Sequence, residues 1–344
     1  MFFRAAVTLT VLSGLMLAGQ VSADIVPLPQ LENRTANLRV AHAVNPRLPK
    51  LTKSELATML AEMQRTMADH FDIRVVVDEP VEVDVHQLLS AIPDRAIKVR
   101  GEVIYDFKTG TGNRDRLRTG NDKTLREWRT PVNDLVAYAK PHLVEPVRHK
   151  TFRGLAEALT NTHLRRLEDW QKKIAADGKP VLDETNANEW AIWDLLGYSG
   201  MPFDLIVTNQ PVISAEYDDG GLNSALRGGV SAGSTSYSKT GRYGTYAFIS
   251  TFPFTEYEDL PAKATDITSR QQAVNLAGKY TAHEVGHMLL LLGHPFRNRA
   301  CVMRPEPLFR FAKWARNLNA EKCRIGSSRP MTPGAAKIGF NPDW

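Results

Sequence analysis

The strongest chemical signal in the sequence is the run His283-Glu284-Val285-Gly286-His287. Two histidines four residues apart lie on one face of a helix, where their imidazole nitrogens can bind one zinc ion at about 2.0–2.1 Å. Glu284 is turned about 100° around the helix axis from His283, which places its carboxylate beside such a metal and not on it. A carboxylate there can take a proton from a metal-activated water and return it to a leaving amine. The run therefore predicts zinc-assisted hydrolysis.

A third metal ligand is expected downstream, and the sequence offers two kinds. His294 is the nearest candidate, but an unbroken helix would carry it about 10 Å further along the axis than the second histidine. Gly293 and Pro295 can end the helix first, because glycine adopts the left-handed C-terminal conformation and proline cannot continue a helix. An acidic ligand is the alternative, since two histidines and a glutamate also form zinc sites. Glu306 and Glu321 are the candidates for that arrangement, with Glu306 preferred.

The elements that must position these residues can be predicted from periodicity. The helix that carries the motif is expected to start after a cap at Asp266 or Thr268 and to run to about Leu292. A buried strand over 203–208, a loop, and a second strand over 246–252 precede this helix.

The chain has two cysteines, Cys301 and Cys323. In an exported protein the oxidising compartment favours a disulfide between them. A final helix is predicted over 309–318, between the two cysteines. The disulfide would tie this helix to the segment that follows the motif and brace the floor of the metal pocket.

Residues 1–23 are predicted to be a secretory signal peptide. Arg4 gives a positive start, 5–18 is apolar apart from small polar residues, and 21–23 offers small residues for cleavage. The apolar stretch is shorter than the roughly 20 residues that cross a membrane, so no stable membrane insertion is expected after cleavage. The formal net charge of +5 includes Arg4 and is mild for 344 residues. Without a basic stripe interleaved with aromatic residues, it indicates no nucleic-acid partner.

The rest of the chain is predicted as a small α/β N-terminal region, 24–149, followed by a catalytic region, 150–344. The sequence leaves open whether 24–149 is an inhibitory pro-segment or a substrate-positioning domain. The finer expectations are an irregular lead-in at 24–50, a helix over 56–70 with a capping box at Thr52 and Glu55, a strand over 71–77, a solvated loop at 108–130, helices over 152–174 and 186–196, and turns or a mobile loop at 218–245.

The motif together with Gly293-His294 and the run Cys301-Val302-Met303-Arg304-Pro305 resembles the metzincin clan of zinc peptidases. The resemblance implies that a third histidine after a glycine turn binds the metal. It also implies that a methionine, here Met303, lies beneath the metal in a tight turn. Cys301 just before this methionine is similar to the archaemetzincin branch.

The same resemblance implies an α+β catalytic domain with a mixed sheet and an active-site helix, in the strand order described above. One feature departs from the clan's pattern, which places a glycine three residues after the second histidine and the last ligand three residues later. Leu290 stands where that glycine is expected, and His294 comes one residue late. The departure corresponds to a one-residue insertion with the glycine displaced.

These observations predict an exported zinc metallopeptidase that hydrolyses a protein or peptide substrate. His283, His287 and His294 would bind Zn²⁺, and Glu284 would act as general base and acid. Two alternatives remain: a degenerate, non-catalytic binding protein with a peptidase fold, and an amidase that acts on cell-wall peptide. The intact Glu284 favours catalysis, because a site that only binds has no need of a general base.

Overall fold

A computed structural model gives the architecture of the chain. It describes residues 31–32, 34–92, 94, 105–106, 111–127, 130–174, 177–183, 187–196, 202–213, 222–236, 246–256, 265–290, 292, 294–295 and 298–323. The predicted signal peptide, 1–23, lies outside these residues. None of the helices in the described ranges is both long enough and apolar enough to cross a membrane.

The helices and strands are numbered here in chain order. In the described part the α-helices are α1 (Lys53–Phe71), α2 (Val85–Ser90), α3 (Arg114–Glu127), α4 (Val132–Ala139), α5 (Phe152–Gln171), α6 (Trp190–Leu195), α7 (Leu222–Leu226), α8 (Phe252–Thr255), α9 (Arg270–Leu290) and α10 (Phe311–Asn317). The strands are β1 (Leu31–Glu32), β2 (Thr35–Leu38), β3 (Val40–Val44), β4 (Arg74–Val77), β5 (Val81–Asp84), β6 (Tyr105–Asp106), β7 (Thr111–Gly112), β8 (Asn188–Glu189), β9 (Leu205–Thr208), β10 (Val212–Ile213), β11 (Val230–Ser231), β12 (Gly233–Ser236) and β13 (Tyr246–Ser250).

A five-stranded mixed sheet is the largest sheet of the described part, with the order β12-β13-β9-β3-β5. Strands β13, β9, β3 and β5 are parallel, and β12 runs antiparallel to β13 along one edge. Smaller sheets have the orders β1-β2-β4, β11-β10-β8 and β6-β7. With helices against these sheets, the fold is α+β, as predicted at that level.

Strand β3 corrects the prediction of an irregular lead-in at 24–50. All five of its residues are buried, and it pairs with both β9 and β5. A strand that is covered on both faces shows a nearly continuous apolar run and no alternation. The sequence of β3, Val-Ala-His-Ala-Val, fits this pattern apart from its central histidine. The boundary predicted at 149/150 therefore falls within one sheet, because β3 comes before it and β9 after it.

Helices α1 and α9 form the layer that carries the motif. Thr52 and Glu55 form the predicted capping box of α1: the Thr52 hydroxyl accepts from the Glu55 amide, and the Glu55 carboxylate from the Thr52 amide. Gly278 of α9 lets α1 approach closely, since a Cβ there would lie 2.4 Å from the Met59 carbonyl oxygen. Both helices bury apolar residues in one core with strands β9 and β13. The core thus holds the motif helix rigidly.

Helix α3 contradicts the prediction of a solvated loop at 108–130. Its sequence is mostly polar, but three positions spaced four residues apart are buried, Leu117, Asn121 and Leu125. The Asn121 amide also donates to the Thr160 hydroxyl of α5 at 3.1 Å. Helix formation here comes from packing against α5 and not from a strong apolar periodicity, so the prediction was wrong.

The cap of α9 also differs from the prediction. Ser269 occupies this position, and its hydroxyl accepts from the Gln272 amide at 3.2 Å. Asp266 caps α10 instead, accepting from the backbone amides of Ala312 and Lys313 at 2.9 and 2.7 Å. Asp266 therefore joins the segment that leads into the motif helix to the start of α10.

Candidate metal centre

Three imidazoles converge at the end of α9. The Nε2 atom of His287 lies 3.1 Å from that of His283 and 3.0 Å from that of His294, and the third separation is 3.3 Å. In the described part of the chain these three residues form the group of side chains that could hold a metal ion. The structure thus brings together the three histidines that the sequence singled out.

The end of α9 explains how His294 returns to the motif despite its late position. The helix ends at Leu290, and the Leu292 carbonyl accepts a hydrogen bond from His287 Nδ1. The predicted left-handed conformation of Gly293 falls outside the described residues. Because the helix ends three residues after the second histidine, His294 is not carried further along its axis, and its Nε2 atom reaches the group.

The arrangement fits a tetrahedral zinc ion. Two nitrogens bound to one tetrahedral zinc at about 2.0–2.1 Å are about 3.3 Å apart, close to the observed separations. His283 Nδ1 donates to the Val302 carbonyl at 2.8 Å, and His287 Nδ1 donates to Leu292. Because a carbonyl oxygen only accepts, each Nδ1 carries the proton and each Nε2 keeps the lone pair that a metal needs.

Burial favours the neutral form of all three imidazoles. It lowers the pKa of His287 to about 4 and holds the pKa of His283 and of His294 well below the ordinary value, the neighbouring imidazoles adding to the effect. His283 is only 1% exposed, while His287 and His294 are partly exposed. The group is therefore unprotonated near neutral pH and open to solvent on one side.

Glu284 directly follows His283 on α9 and is 4% exposed. Thr235 of β12 reaches it from the sheet: the hydroxyl lies 2.9 Å from the Glu284 carbonyl oxygen and 3.3 Å from the carboxylate Oε2. Burial raises the pKa of the Glu284 carboxyl to about 8, and the hydroxyl of Thr235 and the charge of Arg227 act in the opposite direction. Thr235 is not among the residues that the sequence singled out.

Met303 lies against the motif helix. A Cβ on Gly286 would be 2.6 Å from the Met303 sulfur, so only glycine leaves room for this methionine. The Met303 side chain is fully buried. Two residues before it, Cys301 forms the predicted disulfide with Cys323. The floor under the histidines is thus closed by the segment that the sequence singled out.

The two glutamates considered as alternative ligands lie outside the histidine group. Glu306 is buried, its pKa is raised to about 7 by burial, and its main-chain carbonyl accepts from the Arg227 guanidinium. Glu321 is exposed in a 3₁₀ turn at Ala320–Lys322. Neither joins the three converging nitrogens, so the geometry favours the third histidine.

Two residues with contacts to the site were missed because they lie in 218–245, which was predicted as turns or a mobile loop. Thr235 is on β12 and contacts Glu284. Arg227 follows α7 and lies over the ring of Tyr280, at 6.0 Å from its centroid. The one signal in the sequence was the Gly228-Gly229 pair directly after Arg227, which marks a constrained backbone.

No protein-family model matches the chain, and comparisons with curated proteins and with solved structures return no significant match.

Proposed function

We propose that this protein is an exported zinc-dependent metallopeptidase, in which His283, His287 and His294 bind the metal and Glu284 transfers protons. The observation that carries the proposal is the convergence of three Nε2 atoms within 3.0–3.3 Å of one another beside a buried carboxylate. Three protein ligands leave a fourth tetrahedral position open, which is typical of catalytic and not of structural zinc sites.

A bound zinc ion would supply Lewis acidity, which makes water more acidic and polarises a carbonyl group. The chain's own residues supply the remaining chemistry. Glu284 takes the proton of the attacking water and then donates it to the nitrogen of the leaving amine. Thr235 holds the Glu284 carboxylate through its hydroxyl. The carbonyls of Val302 and Leu292 orient two of the imidazoles.

The position of β12 supports a peptide as substrate. Gly233 of β12 lies against Glu284, since a Cβ there would be 2.9 Å from the Glu284 Cγ atom. Within the described residues β12 pairs with β13 on one side, and no strand pairs with its other edge. An extended peptide can add to such an edge through main-chain hydrogen bonds, which would bring its peptide bonds next to the general base.

The proposal includes a metzincin-like catalytic fold. It is supported by the chain order: a motif helix, a turn, a third histidine, and then a methionine that packs against the glycine of the motif. Export is supported by the predicted leader and by the Cys301–Cys323 disulfide, which forms in oxidising compartments. Sequencing the N-terminus of protein recovered from the periplasm or medium tests this part. A mature chain that begins at Asp24 is expected.

The first experiment measures zinc per chain in purified mature protein, with His294→Ala and Glu306→Ala beside it. One zinc per chain is expected in the wild type and in Glu306→Ala, with loss in His294→Ala. Loss only in Glu306→Ala would instead indicate a site of two histidines and one glutamate. A wild type that takes up no zinc when metal is added back would overturn the proposal.

The second experiment measures hydrolysis of fluorescently labelled casein. Glu284→Gln keeps the size of the side chain but removes the base, so hydrolysis should fall at least about 100-fold while zinc is retained. Hydrolysis near the wild-type rate in Glu284→Gln would refute the assigned role. A zinc-loaded wild type that leaves casein intact but releases fragments from cell-wall peptide would favour the amidase, and no hydrolysis of either would favour a non-catalytic binding protein.

A further inference from the structure

Arg227 places a buried positive charge next to the metal centre. Its side chain is 3% exposed, and it follows the short helix α7. The guanidinium binds main-chain carbonyls: Nε donates to Leu308 at 3.1 Å, and Nη2 donates to Glu306. Both acceptors lie in the segment that continues from Met303. Arg227 therefore anchors the chain that forms the floor of the site.

The other side of Arg227 faces the motif helix. Its guanidinium carbon lies over three aromatic rings, at 6.0 Å from the centroid of Tyr280, 5.6 Å from that of Phe309 and 5.7 Å from that of Phe311. Burial raises the pKa of the Tyr280 hydroxyl, and the nearby Arg227 guanidinium acts in the opposite direction. Planar guanidinium groups stack on aromatic faces while they donate in their own plane. One side chain thus contacts both α9 and the segment after Met303.

Tyr280 in turn contacts a candidate ligand. Its ring stacks on the His283 imidazole, with centroids 4.9 Å apart and planes 14° from parallel. The other support of His283 is the hydrogen bond from Nδ1 to the Val302 carbonyl. Tyr280 is on the motif helix, and Val302 is on the segment after it. Arg227 contacts both of these parts of the chain.

The backbone around Arg227 fixes where its side chain starts. Gly228 and Gly229 have φ angles of +77° and +88°, which side chains with a Cβ adopt only with strain. The Arg227 carbonyl accepts from the Trp170 indole at 3.0 Å, and its amide donates to the Ser224 carbonyl at 2.9 Å. The guanidinium thus extends from a backbone turn of fixed conformation. A long, flexible side chain needs such a starting point if it is to hold other groups in place.

We propose that Arg227 is a positioning residue for His283: it holds the Tyr280 ring and the 302–308 segment in the places that orient this imidazole toward His287 and His294. The inference rests on the proposed metal site. Residues that orient metal ligands change metal affinity about 10- to 100-fold when they are mutated. The same loss is expected for Arg227→Met, which keeps an unbranched stem but neither the charge nor the hydrogen bonds. Arg227→Lys should recover only part, because an ammonium cannot reproduce the planar fork.

The test measures zinc affinity by competition with a chromogenic chelator, and the visible absorption bands of the Co²⁺-substituted protein, which report the geometry of the ligands. The variants are Arg227→Met, Arg227→Lys and Tyr280→Phe, which keeps the ring and removes the hydroxyl. Val85→Ala is the matched control, because it removes fully buried apolar contacts in a separate cluster that includes no residue of α7 or α9. It should lower stability without changing zinc affinity or the cobalt bands.

Support for the proposal is a graded loss of zinc affinity, Arg227→Met more than Arg227→Lys, with shifted cobalt bands in both and unchanged bands in Val85→Ala. Should Arg227→Met fail to fold, Tyr280→Phe tests the same connection, and zinc binding about two- to tenfold weaker is expected. Wild-type zinc affinity and cobalt bands in both Arg227→Lys and Tyr280→Phe would overturn the positioning role and leave the metal site intact. A wild type that binds no zinc would overturn the metal site and this inference together.

Discussion

A methyl group at Gly286 should disturb the site because Met303 occupies its place. The added Cβ would lie 2.6 Å from the Met303 sulfur and 3.3 Å from a ring carbon of Phe71. The Met303 side chain is fully buried, so it has little space to move away. Overpacking of this kind destabilises a core by about 1–3 kcal/mol. Alanine is favoured over glycine inside a helix by about 1 kcal/mol, so Gly286→Ala should be destabilising by a net 0–2 kcal/mol.

The effect of Gly286→Ala on stability should change sign when Met303 is shortened. In a Met303→Ala background the sulfur is gone, and Gly286→Ala should then stabilise the protein by about 1 kcal/mol through helix propensity alone. The expected coupling between the two substitutions is therefore about 1–3 kcal/mol.

Chemical denaturation of the four metal-free proteins, with the disulfide kept oxidised, measures this coupling. The wild type, the two single variants and the double variant complete the cycle, and equal denaturant slopes show that the free energies of unfolding can be compared. An effect of Gly286→Ala that is the same in both backgrounds would refute the argued contact between the motif glycine and Met303. Zinc affinity of Gly286→Ala should also fall, because the displaced methionine directly follows Val302, whose carbonyl orients His283.

Three further outcomes are expected. Arg270 lowers the pKa of Glu55 from its ordinary 4.5 to about 2; the stability from this pair is therefore present above pH 4.5 and is lost as the pH falls toward 2. Glu55→Gln, which can keep the capping box, should be about 1 kcal/mol less stable than the wild type at pH 6 in thermal unfolding, and the difference should shrink as the pH is lowered through 2. The double variant Cys301→Ser with Cys323→Ser should lose about 3 kcal/mol for a loop of 22 residues, and reductant should lower the stability of the wild type only. Thr235→Val should retain zinc but hydrolyse casein about tenfold more slowly, because the general base loses a hydrogen bond; an unchanged rate would show that the hydroxyl does not hold it.

Local signals in the sequence predicted several elements correctly. The capping box at Thr52 and Glu55 marks the start of α1, and the periodicity over 152–174 corresponds to α5 (Phe152–Gln171). The strands expected over 203–208 and 246–252 are present as β9 and β13. These features depend on neighbours within a few residues, so the sequence alone contains the necessary information.

The errors have a common physical cause. The prediction of an irregular lead-in is wrong at β3, which lies between β9 and β5. Val40 of β3 pairs with Leu205 of β9, which is 165 positions later in the chain. The prediction of a loop is wrong at helix α3, because contacts with α5 stabilise a helix in this polar sequence. In both segments the stabilising partner is distant in the sequence, so a prediction from local pattern does not include its contribution.

The candidate site divides in the same way. The sequence alone determined that His283, Glu284 and His287 would share one region of a helix, because the spacing of 3.6 residues per turn is local geometry. It also indicated that a glycine and a proline could end this helix. Only the tertiary structure decided that His294 reaches the other two imidazoles. Whether a ring seven residues on turns back depends on where the helix stops and on what packs against the turn.

The supports around the site were decided by the tertiary structure alone. Thr235 contacts Glu284 across 49 residues of sequence, and Arg227 reaches the Leu308 carbonyl across 81. Neither has a spacing that a motif could encode, because each is brought to the site by the sheet or by a rigid turn after α7. The residues that would bind and react lie on one local element, while those that orient them come from distant segments, whose positions follow from how the whole core packs.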